Sequence, residues 1–369
     1  MKRIFDKLCI AITAFVIIAF SAAFFIIPDK TFSDKENRNL EKYPTMNLNE
    51  VLSGRYTESL GRYFADQFPL RDAFVSAKAY AELAVGRGEN NGVIYTNEGI
   101  LIPKDNMAEI RIKDNLASIK NFEINNSADV TLAALPRTID VFSEHLPSFY
   151  PKQEDLVIWK QFDAITTELD IDCAHLYELL CESDAYYKTD HHYTSYGAYL
   201  VYKALGEKLG YSPKDEKFFK RESATKEFCG TAMRSSGFYL APKDEIVLFR
   251  YDGDTEYTVT SDSEKIELYD FSKLDTTDKY AVFLSGNHAR VDIADGSDKR
   301  EKLLIIRDSF ADSIAPFLAL HFDLVLIDFR YYSDSVAELI SSEGISKVLV
   351  LECITELATA RNLSYLSMP

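Results

Sequence analysis

Several motifs are missing from this chain of 369 residues, and each absence removes a class of chemistry. There are five cysteines and no Cys-x-x-Cys pair, so a zinc site built on thiolates has no ligands to start from. The six histidines form no His-x-His or His-Glu-x-x-His, and a Gly-x-Ser-x-Gly elbow does not occur. Basic residues are outnumbered, and the formal net charge of -17 argues against nucleic acid and other acidic polymers, whose neutralisation needs surplus Lys and Arg. No internal repeat or low-complexity segment interrupts the pattern. A content of 47% hydrophobic and 27% charged residues is that of a packed globular protein.

One uncharged run stands out. Lys2, Arg3 and Lys7 precede an apolar span from Leu8 to Ile27, which Pro28 and Asp29 close. Twenty such residues reach about 30 Å as a helix, enough for a bilayer core. The basic flank predicts a single-pass signal-anchor, with residues 1–7 cytoplasmic, 8–27 in the membrane and the rest extracytoplasmic. A cleavable signal peptide is the alternative, but "SAA" at 21–23 runs into "FFII" rather than ending the apolar stretch. Cys9 falls in the span; the other four cysteines are read as small hydrophobes, since no spacing selects a disulfide pairing.

Beyond the span, residues 28–72 read as a linker and N-terminal extension, ending in a helix near 71–86. "NGVIYTNEGILI" predicts a hairpin turning at Asn97 to Gly99. "DVTLAALP" predicts a buried strand, and residues 154–170 a helix. Ala198, Val201, Tyr202, Leu205 and Leu209 have helical spacing, with Thr194 as N-cap and Gly210 as stop. Short aromatic and polar alternations over 211–280 suit an antiparallel β-rich insertion.

The last ninety residues alternate apolar strands ("KLLIIRDSF", "FDLVLIDF", "KVLVLECI") with helices, the last helix capped by Ser333 and stopped by Gly344. That alternation predicts a parallel sheet covered on both faces, one domain over 73–360.

Ligands collect at the carboxyl ends of such strands, where Arg307, Asp308 and Ser309 fall. A serine there can be a plain N-cap or a presented nucleophile, and the second role needs a base held by a third group. Only "YYKTDHHYTSYGAYL" sets imidazoles beside a carboxylate. In an extended segment Asp190 and His192 share a side and His191 points elsewhere, so Asp190 and His192 form a candidate pair. A polar loop capping the following helix and a metal clamp are the other readings; three adjacent residues make a poor chelate alone. Gly286 and Asn287, in "SGNHARVDI", offer either an ordinary turn or close backbone approach with an amide donor for an oxyanion.

Eight fragments in order resemble the DHHW family of exported proteins: "FSDKENRNLEKYP", "YFADQFPLRD", "IYTNEGILI", "YYKTDHHYTSYGA", "FCGT", "FLSGNH", "IIRDSFADSIAPFL" and "DLVLIDFRYY". That family is related to the AlgX/AlgJ-type sugar O-acetylation proteins of the SGNH hydrolase-like superfamily. The resemblance implies an α/β/α sandwich in which Ser309 is the nucleophile, His192 the base and Asp190 its partner. It further implies an oxyanion hole from the Ser309 amide with Gly286 and Asn287, and substrate contacts from Arg330 and Tyr331. No metal and no cofactor is implied. The implied activity is O-acyl transfer to, or acetyl ester hydrolysis on, an envelope polysaccharide, beside a multi-pass membrane O-acyltransferase as partner. A catalytically inactive glycan-binding or envelope-assembly protein is the alternative use of the same fold. Two departures are visible: Tyr193 stands where the family name has Trp, which keeps an aromatic ring of another shape, and Arg307 stands where ordinary SGNH proteins have Gly, which predicts restricted approach of substrate.

Overall fold

A computed structural model describes residues 2–367 apart from 34, 37, 106, 108, 149, 151, 298 and 299. The chain divides into two compact units, Met1–Asn90 with Arg234–Tyr239, and Asn91–Met233 with Leu240–Pro369. The first unit thus extends past the expected boundary at 72, because the helix begun at Arg71 packs within it.

In the first unit, helix α1 (Lys2–Ile26) contains the apolar run. Its segment Arg3–Ile26 is long and apolar enough to cross a membrane and is not buried by the rest of the chain. Helices α2 (Arg55–Asp66) and α3 (Arg71–Ala84) follow. The polar stretch before them is tied down by charge: Arg38 forks onto Asp66 at 2.6 and 2.9 Å, and Arg71 reaches Glu36 at 2.6 Å.

The second unit is built on strands β1 (Asp129–Leu135), β2 (Lys220–Phe228), β3 (Asp244–Arg250), β4 (Thr258–Ser261), β5 (Glu264–Lys265), β6 (Arg290–Ala294), β7 (Lys302–Arg307), β8 (Asp323–Ile327) and β9 (Lys347–Cys353). Seven of them form one sheet in the order β5-β4-β6-β8-β7-β9-β1. From β8 to β1 all pairs are parallel; β6, β4 and β5 extend one edge antiparallel. The 211–280 segment therefore divides: β2 and β3 pair as a separate antiparallel ribbon, while β4 and β5 join the main sheet.

Both faces of the sheet are apolar because successive residues of a strand point to opposite sides. Leu303, Ile305, Leu349 and Leu351 face one core, closed by helices Ser195–Leu209 and Ala311–Leu318. Leu304, Ile306, Val348 and Val350 face the other, closed by helices Ile112–Asn126, Lys152–Glu168 and Val336–Glu343. This is an α/β/α sandwich with a mainly parallel sheet.

Local signals account for the helix ends. Thr194 Oγ1 accepts the Gly197 amide at 3.3 Å, and Gly210 and Gly344 take the left-handed conformation at φ 77° and 66°. The last helix differs by two residues: Ser335, not Ser333, caps it, accepting the Glu338 amide at 3.2 Å. Residues Val93–Tyr95 and Leu101–Pro103 form the expected hairpin. All five cysteines are free.

Strand β8 lies on one side of β7 and β9 on the other, so the chain reverses its direction of winding at β7. That switch opens a crevice at the carboxyl end of β7. The central strand carries the packing of both cores; Ile305→Ala removes a fully buried side chain. It is expected to lower unfolding free energy by about 2–5 kcal/mol, read by urea titration.

Candidate active site

Ser309 ends the turn between β7 and helix Ala311–Leu318. Its hydroxyl does not cap that helix; it lies 2.7 Å from His192 Nε2. On the other edge of the ring, His192 Nδ1 is 2.5 Å from Asp190 Oδ1, and the His192 amide donates to the same oxygen at 3.1 Å. Asp190 and His192 are buried, while Ser309 is partly open. Three residues proposed from spacing and resemblance thus come within hydrogen-bond reach across 117 positions of sequence.

The segment "TDHHY" owes its shape to its neighbours. Asp244, at the start of β3, accepts the amides of Lys188 and Thr189 at 3.0 and 2.8 Å and the Thr189 hydroxyl at 2.5 Å. Thr189 Oγ1 in turn accepts the Gly230 amide at 3.0 Å, and the Thr231 amide donates to Asp190 Oδ2 at 2.6 Å. Gly230 is obligatory here: a Cβ on it would lie 2.3 Å from Asp190 Cβ and 2.4 Å from the Thr189 carbonyl oxygen. The fragment "FCGT" is the seat of Asp190, a role sequence reading did not assign to it.

Burial disfavours a charged Asp190, but the two adjacent imidazoles and the Thr231 amide outweigh it and hold the carboxyl well below its usual range. Tyr280 was not anticipated either. Its ring stacks on His192 at 3.9 Å and 8°, and its hydroxyl donates to Ser313 Oγ at 3.1 Å and the Ser309 carbonyl at 3.3 Å. Phe310 meets the His192 ring at 4.9 Å. The imidazole is thereby fixed in plane by stacking and in rotation by the carboxylate.

The serine turn is held independently. Asp308 accepts the Phe310 amide at 2.9 Å and the Cys353 amide at 2.7 Å, tying the end of β7 to the end of β9. Tyr193 is fully buried and its hydroxyl donates to the Phe310 carbonyl at 2.6 Å, so the residue after the two histidines grips the residue after the serine. Arg307 does not narrow the approach to Ser309, contrary to expectation. It is buried in the interior, 2.8 Å from Asp312 and 3.9 Å from Asp328.

The other predicted residues fare differently. Gly286 has φ 108° and follows Leu284 and Ser285, also at positive φ, so this turn needs its glycine. Its amide donates to the Phe283 carbonyl at 3.3 Å. Asn287 is exposed, and among the described residues no hydrogen bond joins Gly286 or Asn287 to Ser309. Arg330 is committed to Asp328 through a fork of 2.9 and 2.6 Å, and Tyr331 is 55% exposed beside it. His191 lies against the His192 ring at 3.9 Å and is partly open to solvent. Asp190, His191 and His192 are the one group among the described residues whose donor atoms could converge on a cation.

Residues 165–328 match the family model described as "DHHW protein". Over that segment the chain is similar to that family. Solved structures extend the likeness: a DHHW family protein from Eubacterium siraeum superposes with TM-score 0.61 at 21% identity, covering 76% of this chain and 96% of that one. Bacillus cereus PatB1, solved with a sulfonyl adduct, gives 0.60 at 19%, covering 74% and 99%; PatB1 alone gives 0.58 at 18%, covering 73% and 98%. At these identities the likeness is one of fold. No curated protein matches the chain by sequence. The DHHW segment ends at Asp328 and includes Asp190, His192, Gly230, Thr231, Tyr280 and Ser309.

Two substitutions separate the parts of this site. Gly230→Ala is expected to displace Asp190 and disorder the His192 ring, seen as loss of its slowly exchanging Nδ1 proton by NMR. Tyr193→Phe keeps the ring but leaves the Phe310 carbonyl without its donor, and is expected to cost about 1–3 kcal/mol in denaturant titration. Asp190 also links stability to acid. Its folded pKa is depressed, so its contribution is complete above the unfolded carboxyl value of about 3.9 and is lost as pH falls toward the folded one. Asp190→Asn is expected to flatten the decline of stability below about pH 4, measured by urea titration across pH.

Proposed function

We propose that this protein is an extracytoplasmic O-acyltransferase or acetylesterase acting on an envelope polysaccharide through Ser309, His192 and Asp190. The contact that carries the reading is Ser309 Oγ to His192 Nε2 at 2.7 Å, with the far ring nitrogen on Asp190 at 2.5 Å. With Nδ1 protonated toward the carboxylate, Nε2 has a lone pair directed at the hydroxyl. His192 takes the Ser309 proton as Oγ bonds to the acyl carbonyl carbon. The tetrahedral oxyanion collapses, the leaving oxygen receives that proton from His192, and the acyl group stays on Ser309. An acceptor hydroxyl, from sugar or water, then gives its proton to His192 as its oxygen takes the acyl group, and His192 passes that proton to the departing Ser309 Oγ, which restores the serine.

The Ser309 amide is the leading oxyanion donor in this scheme, with the exposed Asn287 side chain as a second. Gly286 supplies the turn rather than a free amide, and Arg330 is already neutralised by Asp328. A purely glycan-binding or assembly role has no need of a hydroxyl, an imidazole and a buried carboxylate in line.

Helix α1 serves as a single-pass anchor in this reading, with Lys2, Arg3 and Lys7 on the cytoplasmic side. The acyl donor side is assigned to a multi-pass membrane O-acyltransferase and the acceptor to a glycan, both by analogy with the sugar O-acetylation proteins that the sequence resembles.

The PatB1 sulfonyl adduct supplies the choice of probe. An aromatic sulfonyl fluoride is expected to add one covalent mass to the wild type and none to Ser309→Ala. Hydrolysis of a chromogenic acetyl ester should fall roughly 10³-fold or more in Ser309→Ala and His192→Ala, and by roughly 10³ to 10⁴ in Asp190→Asn, which can hold the wrong tautomer. Equal labelling and hydrolysis in Ser309→Ala and wild type overturns the assignment.

A further inference from the structure

Helix α1 is bound to the helices that follow it. Phe20 stacks on Phe68 at 5.5 Å and 9° and meets Phe74 edge-on at 5.6 Å. Phe24 packs on Phe64 at 5.3 Å and on Tyr63 at 6.0 Å. A leader removed by cleavage would take from each of these four rings its contact with α1.

Those rings remain largely open on their outer sides. Phe64 is 46% exposed, Phe68 43% and Phe74 50%, with Leu70 at 70% between them. They form a face rather than a scatter. On α2, Phe64 lies about 120° and 160° around the axis from Glu58 and Arg62, by 3.6 residues per turn. Glu58 and Arg62 pair with each other at 2.7 Å on the polar side. On α3 the exposed positions near Phe74 are Ala73, Ala77 and Ala81, with Lys78 one turn further along on its rim. An apolar face of this extent has to be covered.

Depth identifies what covers it. Arg3–Ile26 comprises 24 residues, and at 1.5 Å each a helix of that length is about 36 Å long against a hydrocarbon core of about 30 Å. Phe20 stands six residues before Ile26, about 9 Å along the axis. If the whole excess of about 6 Å projected at this end, Phe20 would still lie about 3 Å inside the hydrocarbon. The rings of Phe68 and Phe74 that touch it share that level.

We propose that the Phe64, Phe68, Leu70 and Phe74 face of the first unit is seated in the outer leaflet of the bilayer that α1 crosses, a second membrane contact whose partner is lipid. A cleft of about 930 Å³ opens beside it, lined by Ile27, Phe32, Phe68 and Leu70 and bearing Lys30 and Arg71 against Asp29, Asp66 and Asp72. Mixed charge above apolar walls matches a zwitterionic headgroup with its upper acyl chain. Two attachments fix the first unit against the membrane, where one helix alone would leave it to swing. This inference rests on the reading of α1 as a retained anchor.

The test uses the full chain in phosphatidylcholine vesicles, with and without bromine on the acyl chains near the headgroup. Phe68→Trp and Phe74→Trp each add an indole to the native Trp159, and the wild type gives the background. Both added emissions are expected to be blue-shifted and mostly quenched by brominated lipid, while that of Glu58→Trp, on the polar side of α2, is unchanged. Flotation of the wild type with the vesicles is measured alongside. A chain that does not float overturns both the anchor and the second contact. A chain that floats while Phe68→Trp and Phe74→Trp behave as Glu58→Trp overturns the second contact alone and leaves the face to a protein partner or a second copy.

Discussion

The Asp190 carboxylate is out of water and has to remain charged. An isolated carboxylate in such a place would take up a proton, because burial removes the solvation that favours ionisation. Here the loss is offset by donors aimed at both oxygens: the His192 ring and amide on one, the Thr231 amide on the other. Much of the second unit can be understood as the means of delivering those donors. Asp244 shapes the backbone that leads into Asp190, and Gly230 allows the Thr231 segment to come close enough. The β-rich insertion is therefore a buttress of the site, since it contributes Gly230, Thr231 and Asp244 as well as Tyr280 at its border.

The second requirement is that two distant stretches of chain meet in register. The switch in winding at β7 opens the crevice, and Asp308 locks its floor to β9. Below it lies a set of buried charges, Arg307 with Asp312 and Asp328, and the exposed Arg330 pairs with Asp328 from outside. Burial pushes Asp312 up to about 7, against the pull of Arg307 and with the repulsion of Asp328. Such groups stabilise little in sum, since desolvation offsets their attraction, but each removed partner exposes the rest to an uncompensated charge. They make the floor under Ser309 costly to rearrange.

What could be read from the sequence was what depends on local pattern. Continuous apolar strands gave the parallel half of the sheet, and Thr194, Gly210 and Gly344 marked helix ends by their own chemistry. The Ser333 cap was displaced because Ser335 has Glu338 three residues on, a capping-box spacing that Ser333 lacks. Asp190 and His192 were visible as a candidate pair and Ser309 as a strand-end serine, but only family resemblance joined them; the segment bends instead of extending, so His191 stays beside the pair and does not point elsewhere. Thr231 and Tyr280, and Asp308 in its bond to Cys353, act through contacts made across the fold, and no window of sequence contains both halves of any of these. The same holds for β4 and β5, whose short polar composition does not reveal that they extend the main sheet. Gly286 was expected at the oxyanion and Arg330 at the substrate; in the structure one forms a turn and the other an ion pair with Asp328.

The bond from Tyr193 to the Phe310 carbonyl alters how the family's fourth letter is to be understood. Tryptophan and tyrosine differ in shape, yet both carry a hydrogen-bond donor at the rim of an aromatic ring, the indole N–H and the phenolic O–H. A buried carbonyl next to Ser309 asks for that donor, and phenylalanine and leucine lack it however well they fill the space. At Tyr193 this chain thus meets a requirement for a proton at a given reach.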